Sequence, residues 1–290
     1  MDIEVLLCLA HNGTHKVFRG LSSGYLVSPR GEGNTFEKMW RPLDYPKTIA
    51  QMASYKFLVS PRLGPYTQLV NYLRPACYRG LFETHITVKT DLQKDPHQIQ
   101  KFKDLCTNIQ VKPVLIELPN GVNPTQMMTA SYSTGPIDEV LPGAYKLSQY
   151  FIKHDFDIQR TKIEAMCSTE GVPVTDQEAL LLPHTNYFEF HIKVGLNPDQ
   201  LAHMEQISSL CHEHNAHLSK NSFKVMLSGV EERFITLRIY KKGKANALEA
   251  FNRCVSAIQQ KGYKILTTQR EYSVFDSNVQ LDSGWIEQTT

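Results

Sequence analysis

Two matching heptapeptides contain the residue types needed for acid/base chemistry. The heptapeptide FETHITV at 82–88 returns as FEFHIKV at 188–194. In each copy a Glu stands two positions before a His, so in an extended strand both side chains point to the same face. A His beside carboxylates has its charged form favoured, which raises its pKa and suits it to proton transfer or phosphate binding.

The sequence after each copy also matches. Thr129 precedes Glu164 by 35 positions, and Thr236 precedes Glu271 by 35 positions. The step from the His to the Thr is 44 positions in the first copy and 45 in the second. Equal spacing over this length is typical of a duplicated module.

Each copy has the pattern strand, helix, strand, strand, helix, strand. In the second copy, alternation and helical spacing predict strands at 187–195, 222–228, 234–240 and 263–274 and helices at 198–212 and 245–260. In the first copy the helices are predicted at 98–108 and 141–154. This order predicts an α/β (α+β) chain with two tandem ferredoxin-like βαββαβ modules and antiparallel sheets.

The predicted modules bring further polar residues beside each Glu and His. The first strand of a ferredoxin-like sheet lies between the third and fourth strands, so its helix-free face gathers residues from all three. The candidate catalytic residues are His85, Thr87 and His191. The candidate ligand-binding residues on these faces are Glu83, Thr129, Glu164, Glu189, Lys193, Thr236, Arg238 and Glu271. Because Thr87 corresponds to Lys193, the two faces are similar but not equivalent.

Three interpretations of these faces remain open. The two faces pack against each other and form an inter-module hydrogen-bond network, or they line a ligand or catalytic cleft, or they are solvated.

The first 75 residues carry a different set of motifs. Strands are predicted at 3–9, 17–20 and 24–27. The segment then resembles the C-terminal half of the inosine-triphosphate pyrophosphatase family, which removes non-canonical purine nucleotides. The resemblance rests on FRG at 18–20, Gly24, PRG at 29–31, Phe36, KTIAQM at 47–52, Lys56, SPR at 60–62 and Leu69. It implies that Lys56, Ser60 and Arg62 hold a phosphate or a base.

The departures from that family bear on activity. The family's Asp after its Phe-Gly step is missing, its Ala-Glu-Met becomes AQM at 50–52, and its Ser-His-Arg becomes SPR at 60–62. The half of the family fold with the triphosphate-binding Lys and metal-binding acids is not found. We therefore expect a segment that no longer hydrolyses nucleotides, and either packs on the next domain as a relic or holds a phosphate.

A second resemblance concerns the repeated His. The tripeptide HIT at 85–87 is similar to the His-x-Thr element of the two-histidine phosphoesterases. It implies that one His activates water or a hydroxyl and the other protonates the leaving oxygen. The second copy departs from this element, since HIK at 191–193 has Lys in place of Thr or Ser.

Composition narrows the class of protein. With 41% hydrophobic and 21% charged residues, the 290-residue chain is typical of globular proteins and not of disordered or fibrous ones. A formal charge of +2 gives no strong nucleic-acid signal. No membrane span or secretory signal is recognised, and six scattered cysteines favour a reducing, cytoplasmic location.

No metal or cofactor is expected. Cys211, His212, His214 and His217 cluster near one helix end, but the first copy keeps only Cys106. Acidic residues at 276–287 lack the Gly that a calcium loop requires, and instead favour a turn that packs Leu281 and Trp285 on the module.

These observations lead to one organisation and three functional hypotheses. The predicted parts are the pyrophosphatase-like segment at 1–75, module 1 at 76–172, a linker at 173–186 and module 2 at 187–290. The leading hypothesis is non-catalytic binding of a nucleotide or other phosphorylated ligand at the cleft between modules. The alternatives are a two-histidine phosphoesterase using His85 and His191, and a structural scaffold or complex subunit. A protein partner or homo-oligomer is left open.

Overall fold

A computed structural model describes residues 1–11, 14–73, 78–90, 97–222 and 230–286. The chain divides into two units, one formed by Met1–Cys77 with Gly135–Gln159 and the other by Tyr78–Thr134 with Arg160–Thr290. The boundaries predicted from the sequence at 75, 172 and 186 stay predictions. None of the described helices is long and apolar enough to cross a membrane.

The first unit contains a three-stranded antiparallel sheet in the order β1-β2-β3. Its elements are β1 (Asp2–His11), β2 (Thr14–Leu26), α1 (Thr35–Met39), β3 (Trp40–Pro42), a 3₁₀ helix (Ile49–Val59), α2 (Leu63–Leu73) and α4 (Ile137–Lys153). The strands predicted at 17–20 and 24–27 form one strand, β2. Trp40 and Met52 are fully buried in the core of this unit.

The second unit is a closed barrel of eight strands in the order β10-β8-β11-β7-β4-β6-β5-β9. The strands are β4 (Arg79–Val88), β5 (Lys112–Glu117), β6 (Thr125–Pro136), β7 (Ile158–Met166), β8 (Tyr187–Leu196), β9 (Ala216–Asn221), β10 (Glu231–Tyr240) and β11 (Lys264–Asp276). Its helices are α3 (Gln98–Asn108), α5 (Asp176–Leu180), α6 (Pro198–Ala202), α7 (Met204–Glu213), α8 (Lys244–Gln260) and a 3₁₀ helix (Val279–Asp282).

Each half of the barrel has the ferredoxin-like strand order. One half reads β7-β4-β6-β5 and the other reads β11-β8-β10-β9, so the first strand of each lies between the third and the fourth. The halves join where β7 pairs with β11 and where β5 pairs with β9, both antiparallel. The fold is therefore α+β with antiparallel sheets of the ferredoxin-like type, as predicted.

Strand alternation decides which residues reach the barrel interior. On β8, Phe188, Phe190 and Ile192 are fully buried and point outward, where the ring of Phe190 lies 5.2 Å from that of Phe251 on α8. The intervening Glu189 and His191 therefore face the interior.

Two elements of the second half differ from the prediction. The helix predicted at 198–212 is divided into α6 and α7 because His203 has non-helical torsions, φ −121° and ψ 46°. The second strand of this half is β9, earlier than the strand predicted at 222–228. Of that predicted strand, residues 223–228 lie outside the described residues.

Candidate functional site

The barrel encloses a cavity of about 160 Å³. Its apolar lining residues include Val114, Ile116, Met128 and Phe234. Most of the other lining residues are charged or polar, and those of β4, β7, β8, β10 and β11 form a contiguous network. The two helix-free faces thus meet around a cavity, and most of their polar groups contact one another.

His85 on β4 is held between a carbonyl and two carboxyl groups. Its Nδ1 lies 2.9 Å from the carbonyl oxygen of Thr129, which can only accept, so Nδ1 carries a hydrogen and donates it. Its Nε2 lies 3.3 Å from Glu164 Oε2 and 3.7 Å from Glu83 Oε1. Burial disfavours the charged imidazole, but the hydrogen bond to Glu164 and the charges of both acids raise the pKa of His85.

His191 on β8 has a similar but not identical environment. Its Nδ1 lies 3.0 Å from Thr236 Oγ1, and its Nε2 lies 3.3 Å from Glu189 Oε1 and 4.0 Å from Glu271 Oε2. The side chains of His85 and His191 are 18% and 24% exposed, so this end of the cavity reaches solvent.

Glu164 and Glu271 occupy corresponding positions on β7 and β11 but differ in their electrostatic surroundings. Glu164 Oε1 lies 2.8 Å from Lys162 Nζ. Burial favours the neutral acid, but Lys162 outweighs it and lowers the pKa of Glu164. Burial together with the nearby charges of Glu164 and Glu83 raises the pKa of Glu271 well above its usual value. The two carboxyl groups at equivalent positions therefore have pKa values shifted in opposite directions.

Gln269 and Tyr132 hold Glu271 and the neighbouring Glu83 in place. The Gln269 amide donates to Glu271 Oε1 at 2.9 Å and also contacts the Glu83 carboxylate. The Tyr132 hydroxyl donates to Glu83 Oε2 at 2.8 Å, and Tyr132 is 58% exposed. Glu83 thus lies between the cavity and the exposed ring of Tyr132.

Glu189 is charged because two bases contact it. Lys162 Nζ lies 2.8 Å from Glu189 Oε1, and Arg238 Nη2 lies 2.7 Å from Glu189 Oε2. Although burial favours the neutral acid, Arg238 and Lys162 hold the pKa of Glu189 well below its usual value. Lys162 therefore links Glu164 in one half of the barrel to Glu189 in the other.

An acidic side chain from outside the barrel strands completes the network. Asp282 Oδ2 lies 2.9 Å from Arg160 Nη1 and 2.8 Å from Arg238 Nη2, and the Gln126 amide donates to Asp282 Oδ1 at 3.0 Å. Arg160 also contacts Asp276 and the Tyr187 hydroxyl. Burial favours the neutral form of Asp282, but the two guanidinium groups outweigh this effect and lower its pKa strongly.

The interior carries more acids than bases. In the described part of the barrel, six carboxyl side chains are buried in this network: Glu83, Glu164, Glu189, Glu271, Asp276 and Asp282. The three buried bases are Arg160, Lys162 and Arg238, and each contacts at least two of these acids. The electrostatic environment therefore opposes the entry of a phosphate.

The barrel brings most of the predicted site residues together. The predicted residues that line the cavity are Glu83, His85, Thr87, Glu164, Glu189, His191, Thr236, Arg238 and Glu271. The other two, Thr129 and Lys193, are not among the residues that line the cavity. Thr129 pairs with Pro113 while its neighbour Met128 faces the cavity; its carbonyl accepts from His85 Nδ1, and its hydroxyl accepts from the Ile86 N–H at 3.1 Å. Lys193 forms an ion pair with Glu232 at 3.2 Å.

The three candidates from the first 75 residues lie in the other unit and make local contacts. Lys56 Nζ lies 2.8 Å from Glu37 Oε1, and the Ser60 hydroxyl accepts the backbone N–H of Arg62 at 3.3 Å.

Several residues of the site were not predicted from the sequence. Arg160 and Lys162 precede Glu164 by four and two positions on β7, so strand alternation alone would have placed all three on one face. Asp282 belongs to a short 3₁₀ helix, and no periodic pattern assigns it to the interior.

Comparisons with known proteins give structural neighbours only. A mutant chlorite dismutase from Candidatus Nitrospira defluvii is 13% identical, with 70% of this chain and 94% of that chain covered and a TM-score of 0.24. The same enzyme in complex with imidazole is 13% identical, with 71% and 94% covered and a TM-score of 0.23. A heme-binding protein from Thermus thermophilus is 8% identical, with 69% and 93% covered and a TM-score of 0.23. No family model and no curated protein matches the chain.

These neighbours correct the predicted resemblances. They are chlorite dismutases and a heme-binding protein, so assignment to the inosine-triphosphate pyrophosphatases or the two-histidine phosphoesterases was wrong. The functions tied to those assignments, binding of a nucleotide or phosphorylated ligand and phosphoester hydrolysis by His85 and His191, are corrected with them, as is the scaffold alternative. The site gives a physical reason, because each His directs Nε2 at a carboxyl group and the interior is acidic.

Proposed function

We propose that the barrel interior binds a small primary amine, exchanges a proton with it and holds it as the ammonium cation. The observation that carries this proposal is the environment of Glu271, which is buried near Glu83 and Glu164 and forms no ion pair with a Lys or Arg in the described part of the barrel. A carboxylic acid kept neutral by its neighbours can donate a proton, and a cation would offset the surrounding negative charge.

The proton step follows from the contacts of Glu271. A neutral amine entering beside Glu271 accepts the carboxyl proton, which leaves an ammonium group and a carboxylate side by side. The ammonium group then offsets the repulsion between the new Glu271 carboxylate and the carboxylates of Glu83 and Glu164. The ligand leaves as the ammonium ion and carries this proton away. Protonated His85, which contacts Glu83 and Glu164, then returns one proton to the carboxyl cluster and takes up another from solvent at its exposed side.

The size and access of the cavity limit the ligand. A cavity of about 160 Å³ has room for several water molecules or one small molecule. Its polar end reaches solvent beside His85, His191 and Tyr132, so a ligand enters beside the carboxyl cluster.

The names of the structural neighbours raise the question of heme, and the residues present do not fit it inside the barrel. An axial imidazole needs an open Nε2, whereas His85 Nε2 lies 3.3 Å from Glu164 and His191 Nε2 lies 3.3 Å from Glu189. A heme also carries two propionates, and the interior already has more buried acids than buried bases. Titration of the protein with hemin is expected to give no absorption change typical of imidazole ligation.

The proposal is tested with a panel of small compounds in a thermal-shift assay and by calorimetry. Methylamine, ethanolamine and guanidinium are compared with acetamide and with acetate at equal ionic strength. The cations are expected to raise the melting temperature by an amount that keeps growing with the logarithm of their concentration above the dissociation constant, and Glu83→Gln is expected to weaken this effect. The matched control is Glu37→Gln, which removes an acid of the other unit and should leave the effect unchanged.

The protonation state is measured separately. The infrared carbonyl band of a protonated carboxyl group should be present near neutral pH and absent in Glu271→Gln. Stabilisation by acetate in place of the amines, or no stabilisation by any compound, contradicts the proposal. Persistence of the carbonyl band in Glu271→Gln contradicts the role given to Glu271.

A further inference from the structure

The interior contains a second arrangement of groups, distinct from the carboxyl cluster around His85. Arg160 on β7 and Arg238 on β10 converge on a single carboxylate oxygen, Asp282 Oδ2, at 2.9 and 2.8 Å. The side chains of Arg160, Arg238 and Asp282 are only 6%, 2% and 3% exposed. Two planar guanidinium groups around one oxygen form an arrangement that is well suited to recognise a carboxylate.

The carboxylate belongs to a segment that is attached to the barrel and is not one of its strands. Residues 277–286 follow β11, and both Asp282 and Trp285 line the cavity. The Trp285 indole donates to the Leu218 carbonyl at 3.2 Å, and the Val122 N–H donates to the Ser283 carbonyl at 3.0 Å. The segment therefore contacts both halves of the barrel while delivering Asp282 to the arginines.

Close backbone packing fixes the position of this segment. Gly284 has φ +79° and a Cβ added there would lie 3.2 Å from Gly121 Cα. Gly121 has φ +112°, so both positions favour glycine for conformation as well as for space. The fit at these glycines keeps Asp282 in one position between Arg160 and Arg238.

We propose that Arg160 and Arg238 form a carboxylate-binding site which Asp282 occupies from within the same chain. A free carboxylic acid of small size would take the same place when Asp282 is absent or withdrawn, with its carboxylate accepting from both guanidinium groups. The segment 277–286 then acts as an internal ligand. This inference goes beyond the binding of a cation, because it concerns different groups and a ligand of opposite charge.

The contacts of Asp282 also explain why it determines the charge accepted between the two arginines. Of the three buried bases, Lys162 is linked to His85 through Glu164, whereas Arg160 and Arg238 are linked to it only through longer series of contacts. Asp282 contacts both arginines. Removal of one carboxylate from this position leaves two guanidinium groups with fewer partners, which costs stability and attracts an anion. With Asp282 in place, its carboxylate occupies this position and offsets the charge of both guanidinium groups.

The test is chemical rescue in the full-length protein. Asp282→Ala removes the carboxylate and leaves a space of about the size of formate or acetate between the two arginines. The variant is expected to have a lower melting temperature than the parent, and added formate should raise it in proportion to the logarithm of the formate concentration above the dissociation constant. Sodium chloride at equal ionic strength should not raise the melting temperature of the variant. The melting temperature of the parent should not respond to formate.

A second variant separates carboxylate binding from a general salt effect. Asp282→Asn keeps the shape of the side chain and leaves no space, so formate should not stabilise it. If Asp282→Ala does not fold without additives, the yield of refolded protein in formate against chloride is measured instead. Equal responses of the Ala and Asn variants to formate, or no rescue in either stability or yield, overturn the proposal.

Failure of this test is distinguishable from failure of the cation proposal. Chemical rescue involves no amine, and the thermal-shift panel uses the parent with Asp282 in place. Rescue of Asp282→Ala with no response of the parent to amines would support the carboxylate site alone.

Discussion

Substitution of Glu271 by Gln should stabilise this protein, although it replaces a buried polar residue at the centre of the site. Gln has nearly the shape of a protonated Glu, and its carbonyl can still accept from Gln269. The parent keeps a proton on Glu271 when it folds, because the pKa of Glu271 is raised by burial and by Glu164 and Glu83. The variant needs no such proton.

The magnitude follows from linkage between folding and protonation. A group whose pKa is raised on folding contributes stability that is fully present below its ordinary value of 4.5 and is lost as pH rises through the folded value. Within that window the parent loses about 1.4 kcal/mol for each pH unit through this group. Glu271→Gln has no such titrating group. The unfolding free energy of the variant, relative to that of the parent, should therefore grow by about 1.4 kcal/mol per pH unit from about pH 5 up to the folded pKa of Glu271.

The assay is urea unfolding of parent and variant at several values between pH 4.5 and pH 8, with the midpoint and slope fitted at each. The two proteins should be similar near pH 4.5 and diverge as pH rises. A difference in unfolding free energy that stays constant with pH, or a variant that becomes relatively less stable as pH rises, would refute a neutral Glu271.

Glu164→Gln is the matched control, since Glu164 holds the corresponding position in the other half of the barrel. The pKa of Glu164 is lowered mainly by Lys162, so its stabilising effect is present above pH 4.5 and lost as pH falls through the folded value. Removing one partner of a buried ion pair costs about 3–5 kcal/mol, so the variant should be less stable than the parent at neutral pH. Effects of the same sign for both variants would contradict the assigned charges.

Three further predictions concern single positions. The imidazole of His85 should titrate in NMR spectra with a pKa above the ordinary value of 6.5. Its contribution to stability is present below pH 6.5 and should decline as pH rises through the higher pKa of the folded state. A titration midpoint below 6.5 would be inconsistent with the observed contacts. Asn197→Ala removes the side chain that accepts from the Gln200 N–H at 2.9 Å, and urea unfolding should show a loss of about 1 kcal/mol, whereas an unchanged midpoint would mean that this cap has no effect. Gly243→Ala would place a Cβ 2.3 Å from the Thr175 backbone, and a destabilisation of about 1–3 kcal/mol is expected by urea unfolding; a variant as stable as the parent would show that the backbone can shift at low cost.

Much of the fold could be predicted from the sequence because its signals are local. The helix predicted at 98–108 has the bounds of α3, and the two βαββαβ patterns lead to the ferredoxin-like strand order. The break at His203 was not predictable, because the apolar stripe of Leu201, Met204 and Ile207 continues across it. A single non-helical residue leaves such a pattern unchanged.

Closure of the barrel and the composition of its interior depend on long-range pairing. The joins between β7 and β11 and between β5 and β9 depend on which edges meet, and alternation within a strand carries no information about that. The repeated Glu and His were found because they recur. Asp282 was not assigned to the interior because it reaches it from a segment without a counterpart in the first half.

The joining of both halves in one chain has a consequence for symmetry. A barrel assembled from two identical subunits has a two-fold axis, which gives corresponding positions the same residue and the same surroundings. Here the corresponding pairs differ: Thr87 corresponds to Lys193, and Glu164 has Lys162 beside it while Glu271 has Gln269. A covalently joined barrel can therefore have one proton donor and one fixed anion at related positions, and a bound molecule has a single preferred orientation.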